Sequence, residues 1–193
     1  MPFDPPRIVC LGRLVSEKGF DLALRAFVTI LDRFPQARLI VAGDGPLRSE
    51  LQYQVAGYHI HHAVDFLGWV QPDEVPSLIN SATFVLMPSR QDSMPLVALE
   101  AALMGRPVVA TNVEGIPEVV IHEHTGILVE QENSEALAAG VIFLLSHPET
   151  ARQMGQVARR RVKEVFSWER HVDAYDALYR SLISGSEIEN SSS

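Results

Sequence analysis

The sequence predicts an α/β fold with a doubly wound parallel sheet of about six strands and extra helices at its C-terminal end. Short apolar runs rich in Val and Ile alternate with amphipathic stretches as far as residue 129, and the alternation then stops. Strands that are buried on both faces of a parallel sheet have this continuous apolar character. Strict alternation also implies right-handed crossovers, which place helices on both faces of the sheet.

Six runs of three to five residues have the length and composition of buried strands. Their β-branched and apolar side chains leave no polar face, so each strand is expected inside the sheet rather than at its surface. In chain order they are Ile8–Leu11, Arg38–Ala42, Val64–Leu67, Phe84–Met87, Val108–Ala110 and Ile127–Val129.

Amphipathic stretches connect these strands. The first, Phe20–Phe34, places its apolar residues on one stripe, and Pro35 follows where a helix is expected to stop. Three further helices follow the last strand and are expected to cover the sheet and its edge. The remaining predicted helices are Pro46–Val55, Pro72–Ile79, Met94–Met104, Glu114–Ile121, Ser134–Leu145, Pro148–Phe166 and Ser167–Ile183.

Composition narrows the class of protein. The chain has 193 residues, 47% of them hydrophobic, and no internal repeat or Gly/Ser linker, which predicts one domain over residues 1–184. Residues 185–193 are small and polar and predict a disordered tail. A net charge of −8 argues against nucleic acid as a partner. No apolar run is long enough to span a membrane, and the start lacks the layout of a signal peptide, so we expect a cytoplasmic protein. In that compartment the single cysteine, Cys10, is expected to be reduced, and its apolar neighbours predict that it is buried.

Ligands of open parallel sheets bind at the carboxyl ends of the strands. The first strand is followed by Gly12, which permits a close turn, and by the cations Arg13 and Lys18 near the start of the first helix. Two cations beside a helix N-terminus form an anion site that fits a diphosphate. The alternative is a solvated pair of cations in a surface loop.

The fourth strand leads into a second candidate phosphate site. Ser93 is positioned to cap the following helix, and Pro95 is tolerated in its first turn. The backbone N–H groups of Met94, Leu96 and Val97 are then expected to be free to bind a phosphate.

Two acids accompany this segment. Glu100 is the one charged residue between Met94 and Met104, and a carboxylate on an apolar helix needs a partner. Ribose hydroxyls would satisfy it, and Asp92 stands in the loop where a sugar beyond the diphosphate would lie. Alternatively, Asp92 caps the helix and Glu100 pairs with an arginine elsewhere. Together these residues predict a site for a nucleotide-activated sugar.

Other charged groups carry weaker predictions. Glu114 and Glu118 follow the fifth strand and either reach a sugar or are first-turn acids favoured by the helix dipole. The histidines at 59, 61, 62, 122 and 124 have metal-like spacing but fall in segments expected to be surface loops, so we expect them to be solvated. A basic run at 159–163 is either a solvated face or a contact with anionic lipid headgroups.

The ordered series of these segments resembles the donor-binding C-terminal domain of retaining glycosyltransferases with the GT-B fold, in the group called glycosyltransferase family 4. The resemblance covers about residues 7–180. It rests on Gly12-Arg13-Leu14 with Lys18-Gly19, Gly43-Asp44-Gly45-Pro46, Phe66-Leu67-Gly68-Trp69-Val70, Pro88-Ser89, Asp92, Glu100-Ala101, Gly105-Arg106-Pro107-Val108-Val109, Gly115-Ile116-Pro117-Glu118, Thr125-Gly126 and Phe166-Ser167-Trp168.

The resemblance implies a role for each matched residue. Arg13 and Lys18 would contact the donor diphosphate, and Glu100, the second acid of an E-x7-E motif, would hold the ribose. Asp92, the first acid, would lie near the donor sugar, and Trp69 would lie beside the base. The backbone of residues 94–97 would approach the phosphates and the sugar. The motif departs from the family where Asp92 replaces the commoner Glu and Pro95 replaces a frequent Gly.

The resemblance also sets the expected activity. A GT-B enzyme uses two Rossmann-like domains, and this sequence supplies one of them. We therefore expect donor binding, with little sugar transfer unless an acceptor-binding N-terminal domain or partner chain is present. No metal or other cofactor is expected. We also expect self-association through the exposed cleft and peripheral contact with the inner face of a membrane. The alternative function is a non-catalytic nucleotide-binding or interaction module.

Overall fold

The computed structural model describes residues 1–190, with side chains to residue 183, and contains six strands that pair in parallel. Every predicted strand is present with ends within one residue of those expected, which confirms the α/β fold. The strands are β1 (Arg7–Leu11), β2 (Arg38–Ala42), β3 (Val64–Gly68), β4 (Phe84–Met87), β5 (Val108–Thr111) and β6 (Gly126–Val129).

Within the described residues, eight α-helices occupy the predicted connections and the C-terminal part of the chain. The helices α3, α4 and α5 are shorter than predicted, and α4 begins only after Pro95, because the residue before a proline disfavours helical angles. The helices are α1 (Phe20–Arg33), α2 (Arg48–Gly57), α3 (Val75–Asn80), α4 (Leu96–Leu103), α5 (Ile116–Val119), α6 (Ser134–Ser146), α7 (Pro148–Val165) and α8 (Trp168–Asn190).

The strand order is β3-β2-β1-β4-β5-β6, so the chain runs outward from β1 in one direction and from β4 in the other. β1 and β4 are neighbours in the sheet, although 72 residues separate Leu11 from the start of β4 at Phe84 along the chain. The helices that follow them, α1 and α4, pack on opposite faces of the sheet, and the carboxyl ends of the two strands border a crevice. In open α/β sheets this switch point is where ligands bind.

Side chains of β4 alternate between two apolar layers. Phe84 and Leu86 belong to the cluster that also contains the buried residues of α1 and α6. Val85 and Met87 belong to a second cluster with the buried residues of α4 and α5. Helices thus cover both faces of the sheet, as doubly wound topology requires. Cys10 lies in the first cluster as a free thiol, and its burial raises its pKa.

Beyond β6 the chain is helical, as the sequence predicts. Contacts group residues 1–159 into one compact unit and the residues from 160 onward into a second. The side chains of residues 168–183 are all exposed. α8 ends at Asn190, within residues 185–193 for which the sequence predicts a disordered tail, and the disorder of that tail stays a prediction. Residues 191–193 of that tail lie outside the described residues.

Candidate functional site

The loop after β1 is tightly formed. Residues Ser16–Lys18 make a single 3-10 turn, and Gly19 begins α1 with a φ of 63°, a left-handed conformation that favours glycine. A Cβ at Gly19 would lie only 2.0 Å from the carbonyl oxygen of Pro88, so the loop after β4 approaches this glycine closely. The two loops at the switch point are therefore packed against each other.

Arg90 ties the two loops together. Its backbone N–H donates to the Glu17 carbonyl at 2.7 Å, and its guanidinium donates to the Ser16 carbonyl at 2.8 Å. The same guanidinium binds both carboxylate oxygens of Asp21 at 2.8 and 2.9 Å and pairs with Glu132. These bonds raise the pKa of Arg90 and lower the pKa of Asp21. Arg90 was not among the predicted site residues, because its partners are distant in sequence.

Lys18 and Asp92 form an ion pair across the switch point, with 2.8 Å between Nζ and Oδ2. The Asp92 side chain is 6% exposed and that of Lys18 is 29% exposed. Ser89 Oγ lies 3.4 Å from the same carboxylate oxygen. The structure thus brings two predicted site residues together, but as partners of each other rather than as a helix cap and a free cation.

The start of α4 differs from its prediction. Pro95, not Ser93, is the residue that precedes the helix, and no side chain caps it. The N–H of Leu96 donates to the Met94 carbonyl at 2.8 Å, so this donor is engaged rather than free. The reason is Pro95, because the residue before a proline avoids the helical conformation that a cap at Ser93 would require of Met94. Ser93 and Met94 are exposed at the mouth of the crevice.

Glu100 lies one turn into α4 and faces a cavity of about 290 Å³ at the carboxyl ends of β1 and β2. Desolvation of this half-buried carboxyl raises its pKa. The arginine partner that was the alternative for Glu100 is not found among the described side chains. Gly12, Arg13 and the exposed Trp69 line the same cavity, so four predicted residues from two separate loops and one helix meet there.

A second cavity of about 330 Å³ lies beside the first. Arg13 lines both cavities, so they meet at its side chain. Four other predicted site residues line the second cavity, namely Lys18, Asp92, Ser93 and Met94. Together the two cavities form a crevice in which Arg13 lies between a mainly apolar cavity and one that contains three carboxylates, those of Glu17, Asp92 and Glu114.

The remaining predicted residues lie around this crevice. Val97 and Gly12 line a small recess of about 50 Å³ that also contains Lys18 and Asp92. Pro95 is buried and sets the start of α4, whereas Leu96 is exposed. Neither lines the cavities described above, and a contact of their backbone with a phosphate stays a prediction.

Glu114 and Glu118 separate into the two alternatives that the sequence left open. Glu118 is an acid in the first turn of α5, where the helix dipole favours it. Glu114 precedes the helix and lines the second cavity.

The other candidate sites do not gain support. No group of three or more His, Cys, Asp or Glu side chains is placed to hold a metal within the described residues. His122 accepts a hydrogen bond from the Leu128 N–H, and His61 packs edge-on against His62. No helix in the described part of the chain has the length and apolarity needed to cross a bilayer.

Comparison with known proteins agrees with the fold. The family model described as glycosyl transferases group 1 matches residues 2–161. An uncharacterized glycosyltransferase of Methanocaldococcus jannaschii is 36% identical over 166 residues, which is 86% of this chain and 42% of the relative. The chain spans about half the length of the curated relatives it matches.

Two solved structures show the same fold. The C-terminal domain of a glycosyl transferase group 1 family protein from Francisella tularensis aligns with a TM-score of 0.79 at 24% identity, over 84% of this chain and 87% of that one. An Anabaena structure in complex with UDP and glucose aligns with a TM-score of 0.81 at 24% identity, over 92% of this chain and 48% of that one.

Proposed function

The chain belongs to the glycosyl transferases group 1 family, and on this premise we propose that it is the donor-binding half of a retaining glycosyltransferase that uses a UDP- or GDP-hexose. Its sheet and flanking helices are one of the two Rossmann-like halves of a GT-B fold. The observation that carries the proposal is the pair of cavities that meet at Arg13, because their contents follow the order of groups in a nucleoside diphosphate sugar.

The nucleoside would occupy the first cavity. Trp69 offers an exposed aromatic face for the base, and Val70 and Val75 supply the apolar wall. Glu100 would accept hydrogen bonds from the ribose hydroxyls, and its raised pKa reflects a carboxyl that is desolvated before any ligand arrives. Such a carboxylate gains more from a hydroxyl donor than a fully hydrated one does.

The diphosphate would lie at the boundary between the cavities. Arg13 forms no ion pair within the described side chains, so its guanidinium is available to a phosphate. Lys18 is already paired with Asp92, and a diphosphate would compete for or share this ammonium. Both cations would then stabilise the negative charge that develops on the leaving diphosphate as its bond to the anomeric carbon breaks.

The sugar would occupy the second cavity, with Asp92 positioning it. The Anabaena structure with the same fold is a complex with UDP and glucose, which supports a nucleotide and a sugar as the ligands of this fold. An acceptor hydroxyl would form the new bond to the anomeric carbon with retained configuration. Acceptor contacts are proposed to come from an N-terminal domain or partner chain, with no metal required, and the protein is proposed to act in the cytoplasm.

Calorimetric titration with UDP-glucose and GDP-mannose tests the proposal. Wild type is expected to bind one of the two, and Lys18→Ala and Glu100→Ala are each expected to weaken that binding at least tenfold, which is the loss of about one charge-assisted hydrogen bond. Lys163→Ala and Glu130→Ala remove exposed charges outside the crevice and serve as matched controls. Unchanged affinity in both site variants, or no binding of either donor at millimolar concentration, would falsify the proposal.

A further inference from the structure

Glu114 has an unusual backbone at the edge of the second cavity. Its φ is 42°, in the left-handed region that a residue with a Cβ rarely adopts. The adjacent Gly115 donates its N–H to the Asp92 carbonyl at 3.2 Å, and a Cβ on Gly115 would lie 2.4 Å from the Ser93 carbonyl oxygen. Close packing against the loop after β4 therefore holds Glu114 in this conformation.

The Glu114 side chain does not relieve this strain by bonding locally. It is exposed, and it makes no hydrogen bond or ion pair with any of the described side chains. Glycine would adopt the same backbone at lower cost. Strained residues of this kind cluster at ligand sites, where the conformation aims a side chain at the ligand.

The charges of the second cavity indicate what that ligand group is. Its cations are Arg13 and Lys18, and its acids are Glu17, Asp92 and Glu114. A bound diphosphate would neutralise the two cations, and Lys18 already faces Asp92. The sugar beyond the diphosphate would then meet carboxylates that accept hydrogen bonds from hydroxyl or amino groups and repel another carboxylate.

We infer that Glu114 is a specificity-determining residue of the sugar subsite, and that it favours neutral and amino hexoses over hexuronic acids. This inference rests on the proposed function. It assigns to Glu114 the selection of the donor sugar, a task distinct from the contact of Asp92 with that sugar.

The test compares the affinity of paired donors for wild type, Glu114→Gly and Glu114→Gln. The pairs are UDP-glucose with UDP-glucuronic acid, and GDP-mannose with GDP-mannuronic acid; UDP and GDP alone are also titrated. Wild type is expected to prefer the hexose, and both variants are expected to reduce that preference roughly fivefold, the effect of one exposed charge. The affinity for the nucleoside diphosphate alone is expected to stay within twofold.

Glu123→Gly is the matched control. Glu123 is also exposed and also has a positive φ, 61°, but it lies outside the cavity. Both glycine variants are expected to raise the melting temperature, since each removes left-handed strain, and only Glu114→Gly is expected to change sugar preference. An unchanged hexose preference in both Glu114 variants, with nucleotide binding intact, would overturn the inference alone. Absence of nucleotide binding in wild type would overturn the proposed function together with it.

Discussion

Lys18 Nζ lies 2.8 Å from Asp92 Oδ2, and this ion pair joins the loops that follow β1 and β4 at the switch point of the sheet. The two residues come from positions 74 apart in the chain, and the carboxylate is almost completely buried. A buried carboxylate needs a compensating charge, and the Lys18 ammonium supplies it. Under the proposed function, a diphosphate would engage an ammonium that already has a partner.

Removal of one partner of this pair is expected to destabilise the fold more than removal of both. Lys18→Met leaves the Asp92 charge buried and is expected to cost about 1–2 kcal/mol, below the range for fully buried pairs because Lys18 is partly exposed. Lys18→Met with Asp92→Asn is expected to recover most of this loss. Urea denaturation followed by circular dichroism measures both free energies of unfolding.

Glu149→Gln is the control for this experiment, since it removes one side of an exposed ion pair with Arg152. Its expected effect is within about 0.5 kcal/mol. If the single variant at position 18 and the double variant at positions 18 and 92 are equally stable, the Lys18–Asp92 ion pair does not stabilise the fold as proposed.

Glu100→Gln is expected to stabilise the protein while weakening donor binding. The pKa of Glu100 is raised in the folded state, so the unfolded chain releases the proton first as pH rises. Stability that the protonated form contributes is therefore present below the ordinary pKa of 4.5 and is lost as pH rises through the higher folded pKa. The Glu100→Gln variant does not lose this stability as pH rises, so it is expected to be more stable than wild type at neutral pH.

The gain in stability at pH 7 is expected to stay below about 1 kcal/mol, because the half-exposed carboxyl is screened by water. Urea titrations of wild type and Glu100→Gln at pH 3.5 and pH 7 measure it, and calorimetry measures donor affinity. Wild type is expected to lose stability relative to Glu100→Gln as pH rises from 3.5 to 7, and a gain over this range would contradict a raised pKa of Glu100.

Arg90→Met is expected to loosen the loop that carries Arg13 and Lys18. The guanidinium bonds to Ser16, Asp21 and Glu132 at once, so its removal is expected to cost about 2 kcal/mol and to lower donor affinity roughly tenfold through misplacement of the cations. Arg90→Lys is expected to restore stability only in part, because an ammonium lacks the planar fork. Chemical denaturation and calorimetric titration of the two variants measure these effects.

Arg90→Met is also expected to change the acid response. Arg90 lowers the pKa of Asp21 below its ordinary value of 3.8, so this pair contributes stability above pH 3.8 that is lost as pH falls through the lower folded pKa. The variant is expected to show a smaller loss of stability in that window. An identical pH dependence of wild type and variant would contradict the role of the pair.

Trp69→Ala is expected to weaken nucleotide binding with little effect on stability. Trp69 is 67% exposed, so its removal leaves no cavity in the core. Stacking of a base on an aromatic ring contributes about 1–3 kcal/mol, which corresponds to a loss of roughly 5- to 150-fold in affinity. Isothermal titration with the preferred nucleoside diphosphate measures this loss.

The chain supplies its own control in Trp168, the other tryptophan, which is 76% exposed and lies outside the crevice. Trp168→Phe leaves Trp69 as the sole tryptophan, and its fluorescence is expected to change on addition of nucleotide. Unaltered affinity in Trp69→Ala, together with no fluorescence change in Trp168→Phe, would remove Trp69 from the base site.

Much of the fold was predictable from local pattern. The strands were found to within one residue because continuous apolar runs such as Phe84–Met87 occur where both faces of a sheet are buried. Helix starts were less accurate, as at Ser93, because proline changes the first turn.

The sequence identified the candidate site residues but did not predict which of them contact each other. Arg13, Lys18, Asp92 and Glu100 follow strand ends, and the sequence alone determines that they reach one edge of a parallel sheet. The tertiary structure decided that Lys18 pairs with Asp92, that Arg90 holds both loops, and that Glu114 enters the second cavity in a left-handed conformation. The periodicity of apolar residues indicates which side chains of one segment are buried. These contacts depend instead on the packing of loops that are far apart in the chain, which no local sequence pattern predicts.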